Sequence, residues 1–311
     1  MFLTADQYIR KANEDRKKLS SNKVCSYYVD FLDDYLVGIH PSELVVIGSE
    51  TGKGKTTLVS SIAVKNALAG KRIVLFKLEG DINEFSDVEK WKFIVDNFKG
   101  EFNRNFSYPN YRLNKIKGIE ELDGAASEYI KDRLKNIVLY NKKVGINKNN
   151  LIETLESIKD SADLVIIDHL HYFDMLAGEN ENKQEKEIMK SVNEAVERFN
   201  VPIILVSHLR KPVDKRQRVP SIHDLMGSSD IGKIAHTVIT TAPYFEMYDI
   251  NNNKFPTFFS IPKSRVGVPG SIIGIKTFDG VRKEYLPGYE LVRKFVAKSG
   301  EEVLQNVNEE F

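Results

Sequence analysis

Residues 48–57 read Gly48-Ser49-Glu50-Thr51-Gly52-Lys53-Gly54-Lys55-Thr56-Thr57, with the apolar run Leu44-Val45-Val46-Ile47 before them and a helical pattern from Leu58 to Ala69 after them. A buried strand, a glycine-bearing turn and a helix N-terminus in that order form a phosphate-binding loop. The turn lets successive backbone N–H groups converge on phosphate oxygens, and the helix adds its partial positive charge. Residues Ser49 to Thr57 are therefore the expected nucleotide-binding segment. Lys55 is expected on the β- and γ-phosphates of a nucleoside triphosphate, and Thr56 on Mg²⁺. The usual pattern begins with Gly at the place held here by Ser49, and Gly48 stands one position earlier. The competing interpretation, a Gly-rich turn that only joins a strand to a helix, is disfavoured by the strand and helix on either side.

A chain of 311 residues with 41% hydrophobic content can bury a large core and suits one large α/β domain with appendages. No apolar run approaches the roughly 20 residues that span a bilayer. Asp6, Arg10 and Lys11 also interrupt the N-terminus before a signal-like core can form. Both features place the chain in a cytoplasm, of a cell or of a phage-infected host. The single cysteine, Cys25, excludes an internal disulfide and is expected to be an ordinary buried thiol. A net charge of +1 with 29% charged residues is no polybasic signature. Contact with DNA must then be local, or built by repeating one subunit's cations around a ring.

Three segments are expected: an N-terminal linker helix over 1–25, an ATPase motor domain over 26–287 and a tail over 288–311. Thr4-Ala5-Asp6-Gln7 has capping-box form and opens a charged helix to about Leu19. That helix packs on its own domain or docks on a neighbouring subunit, and the sequence leaves both open. From Ser26 strands alternate with helices: strands Leu44 to Ile47, Ile73 to Leu78, Ile137 to Tyr140, Leu164 to Ile167 and Ile203 to Val206, with helical patterns between. This alternation predicts a parallel sheet covered on both faces. Beyond Val206, strands Thr237 to Thr241, Thr257 to Ile261 and Ile272 to Phe278 follow one another, with Asp279-Gly280 as a turn signal. The sheet is expected to finish antiparallel. The polar stretch from Val292 to Phe311 is expected to fray or to form a peripheral helix.

A phosphate loop needs a carboxylate to order its metal. Leu164-Val165-Ile166-Ile167-Asp168 supplies one at the carboxyl end of a buried strand, where ligands of open α/β sheets bind. Asp168 is the expected Walker B acid, against the plainer alternative of a turn cap. Glu79 closes the strand Phe76-Lys77-Leu78-Glu79 and is the expected group that polarises water. His208, at the end of Ile203-Ile204-Leu205-Val206-Ser207, is the expected sensor of the γ-phosphate. His169, His171 and His208 without a matched acidic or thiolate partner do not make a zinc site.

Together these segments resemble the RecA-like motor domain of the DnaB-type replicative helicases and their phage primase-helicase relatives, over about Tyr27 to Leu286. The resemblance is carried by Val46 to Leu58, where that family also sets its first Gly one place back, and by Leu75 to Glu79, Ile166 to Phe173 and Asn200 to Leu209. It is also carried by Lys263-Ser264-Arg265-Val266-Gly267. It implies a RecA-like P-loop NTPase core and an ATP-driven helicase that uses ATP or another NTP with Mg²⁺ at subunit interfaces. It implies a homo-oligomeric ring, a hexamer, on single-stranded DNA, with a primase or a helicase loader as partner and no membrane. Lys263 and Arg265 are implied to reach a neighbour's nucleotide as a finger in trans, which suits a guanidinium because it neutralises charge on the transferring phosphoryl group. The carboxyl ends of the strands are expected to gather Lys55, Thr56, Glu79, Asp168, His208, Lys263 and Arg265 on one edge.

Two departures from the family's pattern stand out. The channel-facing loop carries Asp224-Leu225-Met226-Gly227-Ser228-Ser229 where the family has an Arg after the Leu. DNA contact there would fall to backbone N–H groups and to Gly227, Ser228 and Ser229, with Lys211, Lys215, Arg216 and Arg218 as cations just before them. The family's N-terminal or primase domain is also missing, so a motor core alone is expected. Two other readings stay open: a recombinase-like filament on DNA, and a nucleotide-dependent scaffold or loader that hydrolyses little.

Overall fold

The protein is described here by a computed structural model covering residues 4–6, 9–10, 13, 24–81, 83–100, 105–141, 145–147, 149–173, 180–210, 219–226, 228–265, 267–268, 270, 272–296 and 302–306. Six parallel strands frame it: β1 (Leu44–Ser49), β2 (Ile73–Lys77), β3 (Ile137–Asn141), β4 (Leu164–Asp168), β5 (Ile203–His208) and β6 (Thr237–Pro243). Their order across the sheet is β3-β2-β4-β5-β1-β6. Alternate residues of each strand serve opposite faces. Val45, Ile47, Leu75, Ile166 and Val206 pack with Phe31 of helix α1 (Asp30–Leu36) and with Leu58 and Ile62 of α2 (Lys55–Leu68). Val46, Phe76, Ile167 and Leu205 pack instead with Leu155 of α6 (Leu151–Ile158) and with Ile188 and Val192 of α7 (Glu181–Phe199). Two covered faces are why β1, β2, β4 and β5 read as largely unbroken apolar runs. Each large side chain so buried contributes about 1.5–3 kcal/mol.

Between β2 and β3 the chain forms a helical insert of α3 (Asn83–Asn97), α4 (Tyr108–Arg112) and α5 (Glu120–Leu134) with its own aromatic cluster around Trp91 and Phe106. The Trp91 indole N–H donates to the Val281 carbonyl at 2.7 Å, which ties the insert to the far part of the sheet. Past β6 the strands turn antiparallel, as expected. β7 (Lys254–Ser264) pairs with β6, and β8 (Ile272–Asp279) with β7. The short β9 (Glu284–Tyr285) adds to β8.

The tail differs from expectation. β10 (Glu290–Val296) pairs with β8 and β11 (Glu302–Asn306) pairs with β10, so the stretch expected to fray or coil into a helix extends the sheet. β8 would otherwise expose a row of unpaired backbone groups, and β10 satisfies them while burying Val292 against Ile273 and Phe258. Of the expected N-terminal helix, residues 5–6, 9–10 and 13 are helical, and the remainder lies outside the described residues. Cys25 is buried. Among the described residues, no helix is long and apolar enough to cross a membrane.

Two positions at the ends of β1 show how tightly it is held. At its amino end, the His236 backbone N–H donates to the Leu44 carbonyl at 2.9 Å, and the ring Nδ1 accepts from the Leu44 N–H at 3.3 Å. Burial first, then the Arg265 charge, pushes the His236 pKa down to about 4, with Lys263 adding to the effect and Glu197 opposing it. Toward its carboxyl end, a Cβ on Gly48 would overlap the Leu225 side chain and lie 3.1 Å from Leu209 Cδ2. The early glycine of the loop is thus required by packing against the segment that follows β5.

Both positions yield tests. Unfolded His236 takes up its proton near pH 6.5, whereas the folded residue does so only near 4. The stability it contributes is therefore complete above about pH 6.5 and lost as pH falls from there toward 4. His236→Asn, whose amide oxygen can accept the same N–H, should lose less stability than wild type between about pH 7.5 and 5 in denaturant unfolding. An equal loss would contradict this. Gly48→Ala should cost about 1–3 kcal/mol by overpacking. Combined with Leu225→Ala, the total should fall well short of the sum of the single costs. Strict additivity would show that the two positions do not press on each other.

Candidate nucleotide site at the carboxyl edge of the sheet

The loop that leaves β1 reverses through Gly52 and Gly54, at φ of +73° and +86°, and Gly54 is the N-cap of α2. Side chains rarely adopt such angles, so glycine at these places lets the N–H groups turn inward. Lys55, on the first turn of α2, is buried, and its ammonium donates to the Glu50 carbonyl at 2.9 Å. Burial lowers its pKa, and the charges of Glu79, Asp168 and Glu50 work in the opposite direction. Ser49 is buried at the strand end, and Gly52, Lys53, Gly54 and Thr57 line an adjoining cleft.

Strand register brings the acids to this loop. Lys77 of β2 lies opposite Asp168 of β4, and the Leu78 N–H donates to the Asp168 carbonyl at 2.8 Å, so Glu79 emerges beside the end of β4. The Asp168 carboxyl is buried. Its pKa is raised by that burial, while the Thr56 hydroxyl bond and the Lys77 and Lys55 cations pull it down and Glu79 adds to the rise. Its Oδ1 is buried without a hydrogen-bond partner. A partnerless carboxylate oxygen next to a hydroxyl is an all-oxygen donor set that fits Mg²⁺. Lys77 was not singled out from the sequence, although a lysine inside the apolar run Ile73 to Leu78 was a visible signal.

Three imidazoles close the other side. The His208 ring lies 4.0 Å from the His169 centroid, edge to face, and 5.4 Å from the His171 centroid, stacked. His208 Nδ1 is 3.3 Å from the Thr51 hydroxyl of the loop. His171 Nδ1 is 2.7 Å from Glu185 of α7. The fully buried His169 has Nε2 3.0 Å from Glu79 Oε2, close without being aligned as a hydrogen bond. Burial depresses His169 to about 3 and His208 to about 4, so both rings are neutral near pH 7. Glu79, His169 and His208 offer ligand atoms within 4.8 Å of one another. The acidic partner that the sequence reading did not give the histidines is thus Glu79.

The two finger candidates lie elsewhere, which corrects the expectation that one edge gathers every group. β7 runs antiparallel to β6, so its end returns to the amino edge: Ser264 pairs with Thr237, which pairs with Val45 at the start of β1. That level is roughly 13 Å from Ser49 along the strand. Arg265 is exposed there, with its charge bearing on Glu43 and His236. Lys263 donates to the Gly232 and Ala235 carbonyls at 2.7 and 2.6 Å and to Lys233 at 3.3 Å, capping α8 (Ser228–Ile234). Ser228 and Ser229 open that helix. Lys211, Lys215, Arg216, Arg218 and Gly227 lie outside the described residues. The start of the expected channel loop is joined by backbone to the end of β5: the Met226 N–H donates to the His208 carbonyl at 3.0 Å, and the Arg210 N–H to the Asp224 carbonyl at 2.7 Å.

A cleft of about 280 Å³ opens beside the loop, between Lys53 and Thr57 on one side and Phe245, Tyr248, Phe278 and Tyr285 on the other. The Lys53 ammonium sits over the Phe245 ring at 4.9 Å. Flat aromatic walls next to a phosphate loop suit a nucleobase. Sequence reasoning missed this wall because its members come from strands and turns far from the loop.

Comparison with known proteins agrees with the fold. Two solved structures share the fold: a DnaB-like replicative helicase described with its interactions with primase, and a second protein's ATPase domain. The first superposes with TM-score 0.71 at 17% identity, covering 92% of this chain and 67% of that one. The second gives TM-score 0.72 at 17% identity, covering 92% and 99%. In sequence the chain is 27% identical over 223 residues to a probable plasmid replicative DNA helicase of Chlamydia muridarum, across 70% of this chain and 47% of that protein. It is also 27% identical to the replicative DNA helicase DnaB of Mycoplasma genitalium, across 78% of this chain and 52% of that one. The chain spans about half the length of these curated relatives. Residues 26–275 match the model of the DnaB-like helicase C-terminal domain, and the chain belongs to that family.

Proposed function

We propose that this chain is the motor of a replicative DNA helicase, hydrolysing ATP or another NTP with Mg²⁺ at the interfaces of a homo-oligomeric ring, a hexamer, that moves on single-stranded DNA. The observation that carries this is the division of the site between two edges of one subunit. Lys55, Thr56, Glu79, Asp168 and His208 meet at the carboxyl edge, while Arg265 stands exposed at the amino edge. A subunit so built is completed by the next one.

Each residue has a chemical task in this scheme. Lys55 and the loop N–H groups hold the β- and γ-phosphates; Thr56 and Asp168 hold Mg²⁺, which neutralises charge on the phosphates. Glu79 accepts a proton from the water that attacks the γ-phosphorus as the bond to the leaving diphosphate breaks. His208, hydrogen-bonded toward Thr51, senses the γ-phosphate and passes its state through the Met226 contact to the channel loop. Arg265 serves the neighbour's nucleotide, Lys263 joins it only by leaving the α8 carbonyls it caps, and the aromatic cleft takes the base. Residues 26–287 together with β10 and β11 make the motor unit, and 1–25 its linker. The primase described with one structural neighbour makes a primase the natural partner class to test.

Lys55→Ala should abolish phosphate release, because the main fixed cation on the phosphates is gone; turnover equal to wild type would remove the loop assignment. Arg265→Ala should bind nucleotide nearly normally and lose roughly 10³-fold in turnover, since its charge acts on the transition state. Mixed with Glu79→Gln subunits, it should regain hydrolysis at interfaces where intact Glu79 meets intact Arg265. With subunit exchange demonstrated by labelled-subunit transfer, silence at every mixing ratio would contradict the finger in trans. Single-stranded DNA should stimulate turnover and bind more weakly as salt rises. Undiminished hydrolysis without any response to DNA would favour a different motor, and little hydrolysis under any condition would favour a scaffold.

A further inference from the structure

The Glu79–His169 contact has a defined proton arrangement. The His171 backbone N–H donates to His169 Nδ1 at 3.2 Å, so Nδ1 carries a lone pair and no proton. A ring with a bare Nδ1 is neutral and holds its proton at Nε2. That Nε2 lies 3.0 Å from Glu79 Oε2. The proton and the carboxylate oxygen are therefore within reach of each other, with the N–H not yet aimed along the line between them, and a turn of the partly exposed Glu79 carboxyl would close the bond. The His169 ring is fully buried, edge to face with both His208 at 4.0 Å and His171 at 5.6 Å.

We propose that His169 is a positioning residue for Glu79: a neutral imidazole, protonated at Nε2, that donates to the Glu79 carboxylate and sets its orientation toward the attacking water. The proposal rests on the hydrolytic role of Glu79 given above. Glu79 follows the end of β2 with its side chain about one-third exposed, so its own strand does not fix it as burial fixes Asp168. His169 supplies the fixed point, since it directly follows Asp168 on β4 and inherits that strand's rigidity. Contacts of this kind are commonly loose before substrate binds and tighten with it.

The same three side chains, Glu79, His169 and His208, could be taken for a transition-metal site. The tautomer argues against that. A metal at Nε2 would displace the proton, and a neutral ring would then carry it at Nδ1, directly facing the His171 N–H, two donors against each other.

The test is a cycle of His169→Leu and Glu79→Gln in the full chain, read by turnover and by fluorescent-nucleotide affinity. His169→Leu should lower kcat roughly 10²-fold, the scale of a misplaced reacting group, while nucleotide affinity stays within about two-fold. In the Glu79→Gln background the same change should cost nothing further, because the group it positions is already disabled. His169→Gln, which returns an N–H near the place of Nε2, should recover most of the loss. Multiplicative losses in the double variant, or a fall in nucleotide affinity that tracks the fall in kcat, would overturn the proposal. Full turnover in Glu79→Gln alone would instead remove the role of Glu79. The tautomer can also be read in the unmutated protein from ring-nitrogen NMR shifts. Protonated Nε2 is expected, and protonated Nδ1 overturns the assignment, as would inhibition by micromolar Zn²⁺ that His169→Gln abolishes.

Discussion

Everything at the nucleotide edge depends on the parallel register of β1, β2, β4 and β5. Ser49 lies beside His208 and Lys77 beside Asp168 because the apolar residues behind them interdigitate with helices on both faces. A slip of one residue would exchange the two faces of a strand and carry Asp168 away from Thr56. The forces that bury the sheet therefore also set the distances of the site. No separate scaffold is needed for groups that arrive from four places in the sequence.

That edge holds charges the protein alone does not satisfy. Burial lowers the pKa of Lys55 and raises that of Asp168, so each is held where its charged form is disfavoured. Asp168 Oδ1 is partnerless, and Lys55 rests on a backbone carbonyl. A triphosphate with its divalent cation reverses both penalties together, presenting an anion to the lysine and a cation to the carboxylate. In the proposed function, the exposed cation at the other edge, Arg265, would complete the scheme across a subunit boundary, and hydrolysis would become a property of the assembly.

The sequence made the loop, Asp168 and the parallel sheet legible because each is demanded by local chemistry: a glycine turn for phosphate, a carboxylate at a strand end, apolar runs covered on both sides. What it hid was relational. Glu79 and His169 meet through the β2–β4 register, which no spacing along the chain reveals. Arg265 could be matched to a motif, but its edge of the sheet followed from the direction of β7. The aromatic cleft draws on residues about 190 to 230 positions beyond the loop. β10 and β11 were missed because the polar, acidic character of the tail outweighed its short apolar stretches, and their pairing is enforced by the open edge of β8.

The central claim, a site divided between neighbouring copies, is tested most directly by a cryo-electron-microscopy structure of this chain with Mg²⁺ and a non-hydrolysable triphosphate. The account predicts a closed ring in which the Arg265 guanidinium of one copy lies against the γ-phosphate held by Lys55 of the next. A γ-phosphate contacted only by its own subunit, with Arg265 remaining beside its own Glu43 and His236, would contradict it.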